Sequence, residues 1–441
     1  MNTPICDFVE KYIKSHPHRL HMPGHKGERF LGCEDRDITE IDGADVLYGA
    51  EGIIAESRQN AAALFGTKKT LYSTEGSSLS IRAMLYLALL HAGEQGREPL
   101  ILAGRNAHKS FLSGAALLDI EVQWLCEGEN ILSCAVTPQS LKKHLRDMQT
   151  TPTALYVTSP DYLGNCVDIA GLSEVCRQYN ILLLVDNAHG AYLRFLPQDV
   201  HPITLGADAC CDSAHKTLSV LTGGAYLHIS VRAPEIFAQR AEAAMALFAS
   251  TSPSYLILQS LDLVNRYLSH DFPEKISAFS QEISAFKERL QAKGYTLCGN
   301  EPLKITLSAK SYGYTGKEIE QWLSSRQIIC EFADPDYLVL MLSPGQDITI
   351  LEQALCALPK KESLSQKPPA FILPKRATSP RKALLSPAEK LPLEQCEGRI
   401  LASVTVSCPP AVPIAVCGEV INRSTIELMR YYGYTHLEVV Q

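Results

Sequence analysis

The sequence predicts an α/β protein: a large domain built on a mainly parallel sheet, followed by a smaller C-terminal α/β domain. Three observations carry this. Between residues 60 and 230, apolar β-rich runs alternate with helix-like stretches, as they do where helices cover both faces of a parallel sheet. The conspicuous polar residues follow directly after those runs, and ligands of such sheets gather beyond the C-terminal ends of the strands. With 441 residues and 46% hydrophobic content, the chain can bury a large core and fill more than one compact unit.

The opening MNTPICDFVEKYIKSHPHRLHMPGHKG has no continuous apolar h-region, and no later segment is long enough to span a bilayer, so neither export nor membrane anchoring is expected. Residues 1–30 read as an N-terminal arm. Residues 31–260 read as the large domain, with strands at PLILAG, TALYVTSP, ILLLVDNAHG and GGAYLHIS. The pattern turns helical from Ser254 to about Leu290, then returns to strand and helix around LKITLSA and DYLVLML. That gives the small domain over 261–359. Residues 360–390, rich in Pro, Ser and Lys, read as a linker. The last stretch, 391–441, offers a short apolar strand and then a helix in PPAVPIAVCGEVINRSTIELMRYYGY, so it is expected to dock as a subdomain.

A net charge of −7 argues against nonspecific nucleic-acid binding, which needs a basic footprint on the phosphates. The basic LPKRATSPRK reads as a solvated segment. Fourteen cysteines are scattered through apolar runs rather than set in a short loop-rich framework, which fits a reduced, cytoplasmic protein. His21 and His25 have the spacing of a helical metal pair, but Pro23 and Gly24 between them oppose a helix. Cys210 and Cys211 read as filling alternate sides of a core strand. No metal is expected.

The strongest chemical signal joins Asp186, at the end of the buried-looking strand ILLLVD, with Lys216 in DSAHKT. A carboxylate set against a pyridine nitrogen keeps that nitrogen protonated and makes the ring an electron sink, while a lysine amine can bond covalently to an aldehyde. Alone, Asp186 would be a turn residue and Lys216 a solvated side chain. Ala188 and His189, just beyond Asp186, tip the balance toward a cofactor. Gly76, Ser77 and Ser78 introduce an amphipathic helix whose N-terminus suits a phosphate, although a lone serine cap would look the same. His108, just beyond PLILAG, could stack on one ring face while Ala188 packs on the other. Lys109 is another possible cofactor lysine but has no comparable aspartate upstream.

Taken in order, LHMPGHKG, DITEIDGADVLYGAEGII, TEGSSLS, RNAHKS, DNAHGAY, DSAHKTL and TSPSYLILQSLD resemble the ornithine/lysine/arginine decarboxylase family, particularly its shorter bacterial members, over nearly the whole chain. The resemblance implies an aspartate-aminotransferase-like fold of pyridoxal-phosphate fold type I, with a seven-stranded sheet. It implies pyridoxal 5'-phosphate bound to Lys216, Asp186 as partner of the ring nitrogen and His108 as the stacking ring. Ser77, Ser78, Ser213 and His215 would surround the phosphate, and His189 would stand near the reacting centre. It also implies a homodimer or larger homo-oligomer with shared active sites, in which Thr251 and Ser252 reach the neighbouring subunit's phosphate.

The implied reaction is decarboxylation of arginine, lysine or ornithine, with arginine favoured through polyamine synthesis. Glu331, in an otherwise apolar run, is the candidate partner of the substrate's distal cation; Asp334 reads as a polar turn. An aminotransferase or other lyase of the same fold, and a noncatalytic regulatory homologue, are the alternatives. Besides a C-terminal region shorter than in many relatives, two departures from the family stand out. No receiver-like domain fits ahead of HMPGHKG, and Gly223 stands where glutamine is more usual.

Overall fold

The computed structural model describes residues 1–127, 131–408 and 412–441, without the side chains of 405–408 and 412. Seven strands, β1 (Lys69–Ser73), β2 (Leu100–Gly104), β3 (Glu121–Leu125), β4 (Ala154–Thr158), β5 (Leu182–Asp186), β6 (Ala209–Asp212) and β7 (Ala225–Ile229), form one sheet in the order β1-β7-β6-β5-β4-β2-β3. The sheet is mainly parallel, as the sequence predicts. β7 is the exception, since it runs antiparallel to both β1 and β6.

The helices that intervene are α1 (Pro4–Lys14), α2 (Ile53–Phe65), α3 (Ser77–Glu94), α4 (Lys109–Leu118), α5 (Pro138–Asp147), α6 (Ile169–Tyr179), α7 (Pro202–Leu205), α8 (Ala214–Thr217), α9 (Glu235–Ala246), α10 (Tyr255–Ser269) and α11 (Phe272–Ala292). Beyond them, β8 (Leu297–Cys298), β9 (Lys304–Ser308), β10 (Phe332–Ala333) and β11 (Tyr337–Met341) make a second sheet in the order β10-β11-β9-β8. α12 (Gly316–Ser324) and α13 (Thr349–Ala357) accompany it. α14 (Pro380–Leu384) leads to β12 (Ala388–Pro392), which pairs with the last strand across the C-terminal region; β13 (Thr405–Cys408), β14 (Val412–Val416), α15 (Arg423–Tyr431) and β15 (His436–Val440) complete the chain.

The chain divides into two compact units. One comprises Met1–Leu100, Pro138–Val157 and Asp168–Lys275; the other comprises Ile101–Thr137, Thr158–Val167 and Ile276–Gln441. In the first, the central strands carry fully buried residues in unbroken runs, such as Leu183, Leu184 and Val185 in β5. Burial on both faces explains why these strands read as continuous apolar stretches rather than alternating ones.

α3 departs from the expected amphipathic helix. Its residues Leu79, Ile81, Ala83, Met84, Leu85, Leu87 and Ala88 are all buried, because it packs against both β7 and α9 and has little face left for solvent. In the second unit, a core that includes Leu163, Val339, Leu401, Ile414, Ile421 and Met429 joins the small sheet to the C-terminal region. No helix of the described residues is long and apolar enough to cross a membrane.

Candidate active site

β5 and β6 run side by side in parallel, with Asp186 opposite Cys211. Their C-terminal ends therefore deliver Asp186 and, one short turn later, the Ser213–Lys216 segment to the same edge of the sheet. The Asp186 carboxylate is 2% exposed. Its Oδ2 accepts from the Tyr156 hydroxyl at 3.2 Å, and its Oδ1 accepts from the Ala188 amide at 3.2 Å and the Cys211 thiol at 3.5 Å. Burial, and then the charge of Asp186, push the Tyr156 phenol and the Cys211 thiol well above their ordinary pKa values. Both stay protonated and remain donors to the carboxylate.

Lys216 projects from α8, the single helical turn after β6, and its Nζ lies 3.2 Å from Nε2 of the buried His189. Because His189 follows Asp186 by three residues, one imidazole links the lysine to the strand end that carries the carboxylate.

The start of α3 meets the Ser213 end of the Ser213–Lys216 segment. α3 starts at Gly76, whose φ of +72° is the left-handed region, and no side chain caps the helix. Ser77 and Ser78 are its first two residues rather than its cap. Ser213 Oγ donates to Ser77 Oγ at 2.7 Å, and a Cβ added at Gly76 would meet nothing within 4 Å. Open space, the N-terminus of a long helix and clustered hydroxyls are what a phosphate needs, and a buried carboxylate with an amine on the neighbouring strand end is what a pyridoxal ring needs. The residues fit that cofactor.

His215 is tethered by Nδ1 to the Gly224 carbonyl at 2.9 Å. Burial lowers its pKa, and the Lys216 charge adds to this against the effect of the Gly224 bond. The neutral ring thus donates through Nδ1 and leaves Nε2 as an acceptor. Gly223 is required by the local backbone. Its φ is +99°, a Cβ there would stand 2.7 Å from the Thr74 carbonyl, and its own carbonyl accepts from the Gly76 amide at 2.7 Å. Glutamine at this position would therefore disturb the turn that opens α3.

Thr251 and Ser252 lie exposed between α9 and α10. The neighbouring Ser250 amide donates to Glu75 Oε1 at 2.8 Å, which ties this loop to the one leading into α3.

Beneath the site, Asp212 organises a buried polar cluster. Its Oδ1 accepts from Asn187 Nδ2 at 2.7 Å, and its Oδ2 accepts from His201 Nε2 at 3.0 Å. Nε2 of His228 stands 3.3 Å from the same oxygen. Although burial opposes it, the two histidines hold the Asp212 carboxyl well below the usual carboxylate range. His201, Cys210 and Asp212 have ligand atoms within 4.8 Å of one another. They nevertheless read as a hydrogen-bonded core. His201 Nδ1 accepts from the Ile203 amide, so Nε2 carries the proton and offers no lone pair to a metal. Both Cys210 and Cys211 are fully buried in β6, as expected of a core strand.

The second unit holds the remaining candidates. His108 is the N-cap of α4, and its Nδ1 accepts from the Ser110 amide at 3.2 Å. Glu331 is exposed and accepts from the Tyr162 hydroxyl at 3.1 Å. It lines a cavity of about 650 Å³ with Arg326, Leu340, Leu342, Asp347 and Leu351. Asp334 is the turn residue the sequence suggests, its Oδ1 accepting from the amides of Asp336 and Tyr337 at 2.6 Å each.

The model of the Orn/Lys/Arg decarboxylase major domain matches residues 3–300, and that of the family's C-terminal domain matches residues 359–437. The chain belongs to the Orn/Lys/Arg decarboxylase family. It is a decarboxylase of basic amino acids.

An arginine decarboxylase of Bacillus subtilis (strain 168) is 28% identical to it over 464 residues, covering 96% of this chain and 92% of that protein. Another, from Halalkalibacterium halodurans, is 29% identical over 466 residues, covering 97% and 93%. Among solved structures, lysine decarboxylase A from Pseudomonas aeruginosa aligns with a TM-score of 0.82 at 17% identity, covering 99% of this chain and 80% of that one. That last likeness concerns the fold.

Several residues of the decarboxylase escape a reading of its sequence. Tyr156 could have been suspected, because a tyrosine in the apolar run TALYVTSP must find a partner for its hydroxyl once buried. Asn187, His201 and His228 gave no such sign. They meet Asp212 only through sheet register and the turn into α7.

Proposed function

We propose that this decarboxylase binds pyridoxal 5'-phosphate on Lys216 and acts on arginine in preference to lysine or ornithine. It does so in the cytoplasm, as a homodimer or larger homo-oligomer, and supplies polyamine synthesis. The observation that carries the reading is the Lys216 amine 3.2 Å from His189, on the strand end that also bears Asp186. The arginine preference is supported by the two relatives, each named an arginine decarboxylase.

When bound, the cofactor supplies an electron sink for the pair left behind as carbon dioxide departs. The chain's own residues do the rest. Asp186, with Tyr156, Cys211 and the Ala188 amide oriented on it, holds a proton at the ring nitrogen. Ala188 would contact the ring, and His108 would supply the stacking imidazole. The α3 amides with Ser77, Ser78 and Ser213 bind the phosphate, and His215 lines the same cradle. Thr251 and Ser252, exposed in one subunit, reach the phosphate of the next. Lys216 and His189 share the proton that the substrate's α-carbon takes up, since their contact lets either group hand it to the other. Glu331 would supply the carboxylate for the distal cation.

The test is an assay of purified protein against arginine, lysine and ornithine, with amine and carbon dioxide measured together. Equal yields of amine and carbon dioxide, fastest with arginine, are expected. Borohydride should bleach a visible absorbance band, and Lys216→Ala should abolish both the band and turnover. Formation of a keto acid without carbon dioxide, or turnover retained by Lys216→Ala, contradicts the reading.

A further inference from the structure

We propose that the buried Arg105–Glu419 ion pair is a positioning device for His108, through which the C-terminal region fixes the ring that covers the cofactor. This rests on His108 as the stacking ring and goes beyond it by giving the C-terminal region a part in the site.

Both side chains are almost wholly removed from water, at 4% and 3% exposure. The pair is a two-pronged fork: Nη1 donates to Oε1 at 2.7 Å and Nη2 to Oε2 at 2.8 Å. Nη2 also reaches the Ile414 carbonyl at 3.3 Å, and the guanidinium lies over the Trp124 ring, 5.0 Å from its centroid. Arg105 Nε has no hydrogen-bond partner among the described residues, and Glu419 takes both terminal nitrogens of the guanidinium. A buried arginine with that geometry cannot turn away without stranding its charge.

Each end of the pair is built into rigid backbone. Glu419 sits in the turn after β14, where Oε2 accepts from the Val416 amide at 2.9 Å and its carbonyl accepts from the Leu401 amide at 2.9 Å. At the other end the Arg105 amide donates to the Leu125 carbonyl at 2.8 Å. The Ala107 amide closes a turn on the Gly104 carbonyl at 3.1 Å, and the Phe111 amide starts α4 on the His108 carbonyl at 2.9 Å. Two residues of tight turn, Asn106 and Ala107, therefore separate Arg105 from His108, whose Nδ1 is already pinned by the Ser110 amide. α4 itself packs against β14. The imidazole plane is set from one side by its own helix and from the other by the C-terminal region.

A purely structural ion pair would lower stability when broken but would not act through one histidine. Full-length protein stripped of cofactor is titrated with pyridoxal 5'-phosphate, and the dissociation constant is read from absorbance and visible circular dichroism. Four forms are compared: wild type, Glu419→Gln, His108→Ala and the double variant. Glu419→Gln should weaken cofactor binding about tenfold and shrink the visible dichroic band, while in the His108→Ala background it should change binding less than about twofold.

Should Glu419→Gln fail to fold, Glu419→Asp, which keeps the charge but withdraws it by one methylene, is expected to act in the same direction. The inference is overturned if the Glu419 variants bind cofactor as wild type does, or if their effect is equally large without His108. Wild-type protein that binds no pyridoxal phosphate at all overturns the proposed function itself, and the inference with it.

Discussion

Asp186 shows how much a single carboxylate depends on its surroundings. Three donors converge on it, and two of them, the Tyr156 hydroxyl and the Cys211 thiol, are held protonated by burial. The role assigned to it requires a fixed negative charge, which an amide cannot supply. Asp186→Asn is therefore expected to lower kcat by about 10²-fold or more, the scale of losing one preorganised electrostatic partner. Melting temperature should change little, because asparagine keeps the volume. Near-normal kcat in that variant would remove Asp186 from the mechanism. At this scale the sequence was informative wherever chemistry demands a rare combination. Lys216 and Asp186 could be singled out because an aspartate ending a buried strand and a lysine after Ser-Ala-His are unusual together. Asp212 could not, because its meaning depends on Asn187, His201 and His228, which register and turn geometry bring to it.

Among the elements, α1 illustrates stabilisation borrowed from elsewhere in its unit. Thr3 makes no side-chain cap bond. Instead Asp262 of α10 accepts from the amides of Ile5 and Cys6 at 3.0 Å each, and its other oxygen accepts from Ser57 Oγ at 2.6 Å. Burial outweighs these bonds and raises the Asp262 pKa to about 6. The ordinary value is about 3.9, so the folded protein holds this proton more tightly than the unfolded chain does. Its contribution to stability is then greatest below about pH 4, falls as pH rises through about 6, and stays low above that, a change of about 3 kcal/mol. Amide protection at Ile5 and Cys6, measured relative to Asp262→Asn, should decline over that interval. Parallel pH profiles for the two proteins would sink the idea. Strand positions in the large sheet were legible because unbroken apolar runs of this length mark buried parallel strands. The reversed direction of β7 was not, since GGAYLHIS has the same composition as its parallel neighbours. Nor was the all-round burial of α3, which arises from having β7 and α9 on different sides.

For the molecule as a whole, the N-terminal segment carries apolar side chains that nothing in a single chain covers. Leu20, Met22, Phe30 and Leu31 are 83%, 69%, 80% and 91% exposed, and large apolar side chains left to solvent within one short segment are what an interaction surface offers. The proposed homodimer supplies an occupant, a second copy of this chain, and a symmetric pairing would bury the segment twice over. If active sites are shared, assembly and activity must fall together. Sedimentation of the wild type should give a dimer or a larger species. The double substitution Phe30→Asp and Leu31→Asp places two charges where the apolar contact is expected, and should shift the protein toward monomer with a parallel loss of turnover. Raising the concentration of the variant should restore both, because association follows mass action. A fully active monomer, wild type or variant, would show that each chain completes its own site, and Thr251 and Ser252 would then lose their role across the interface.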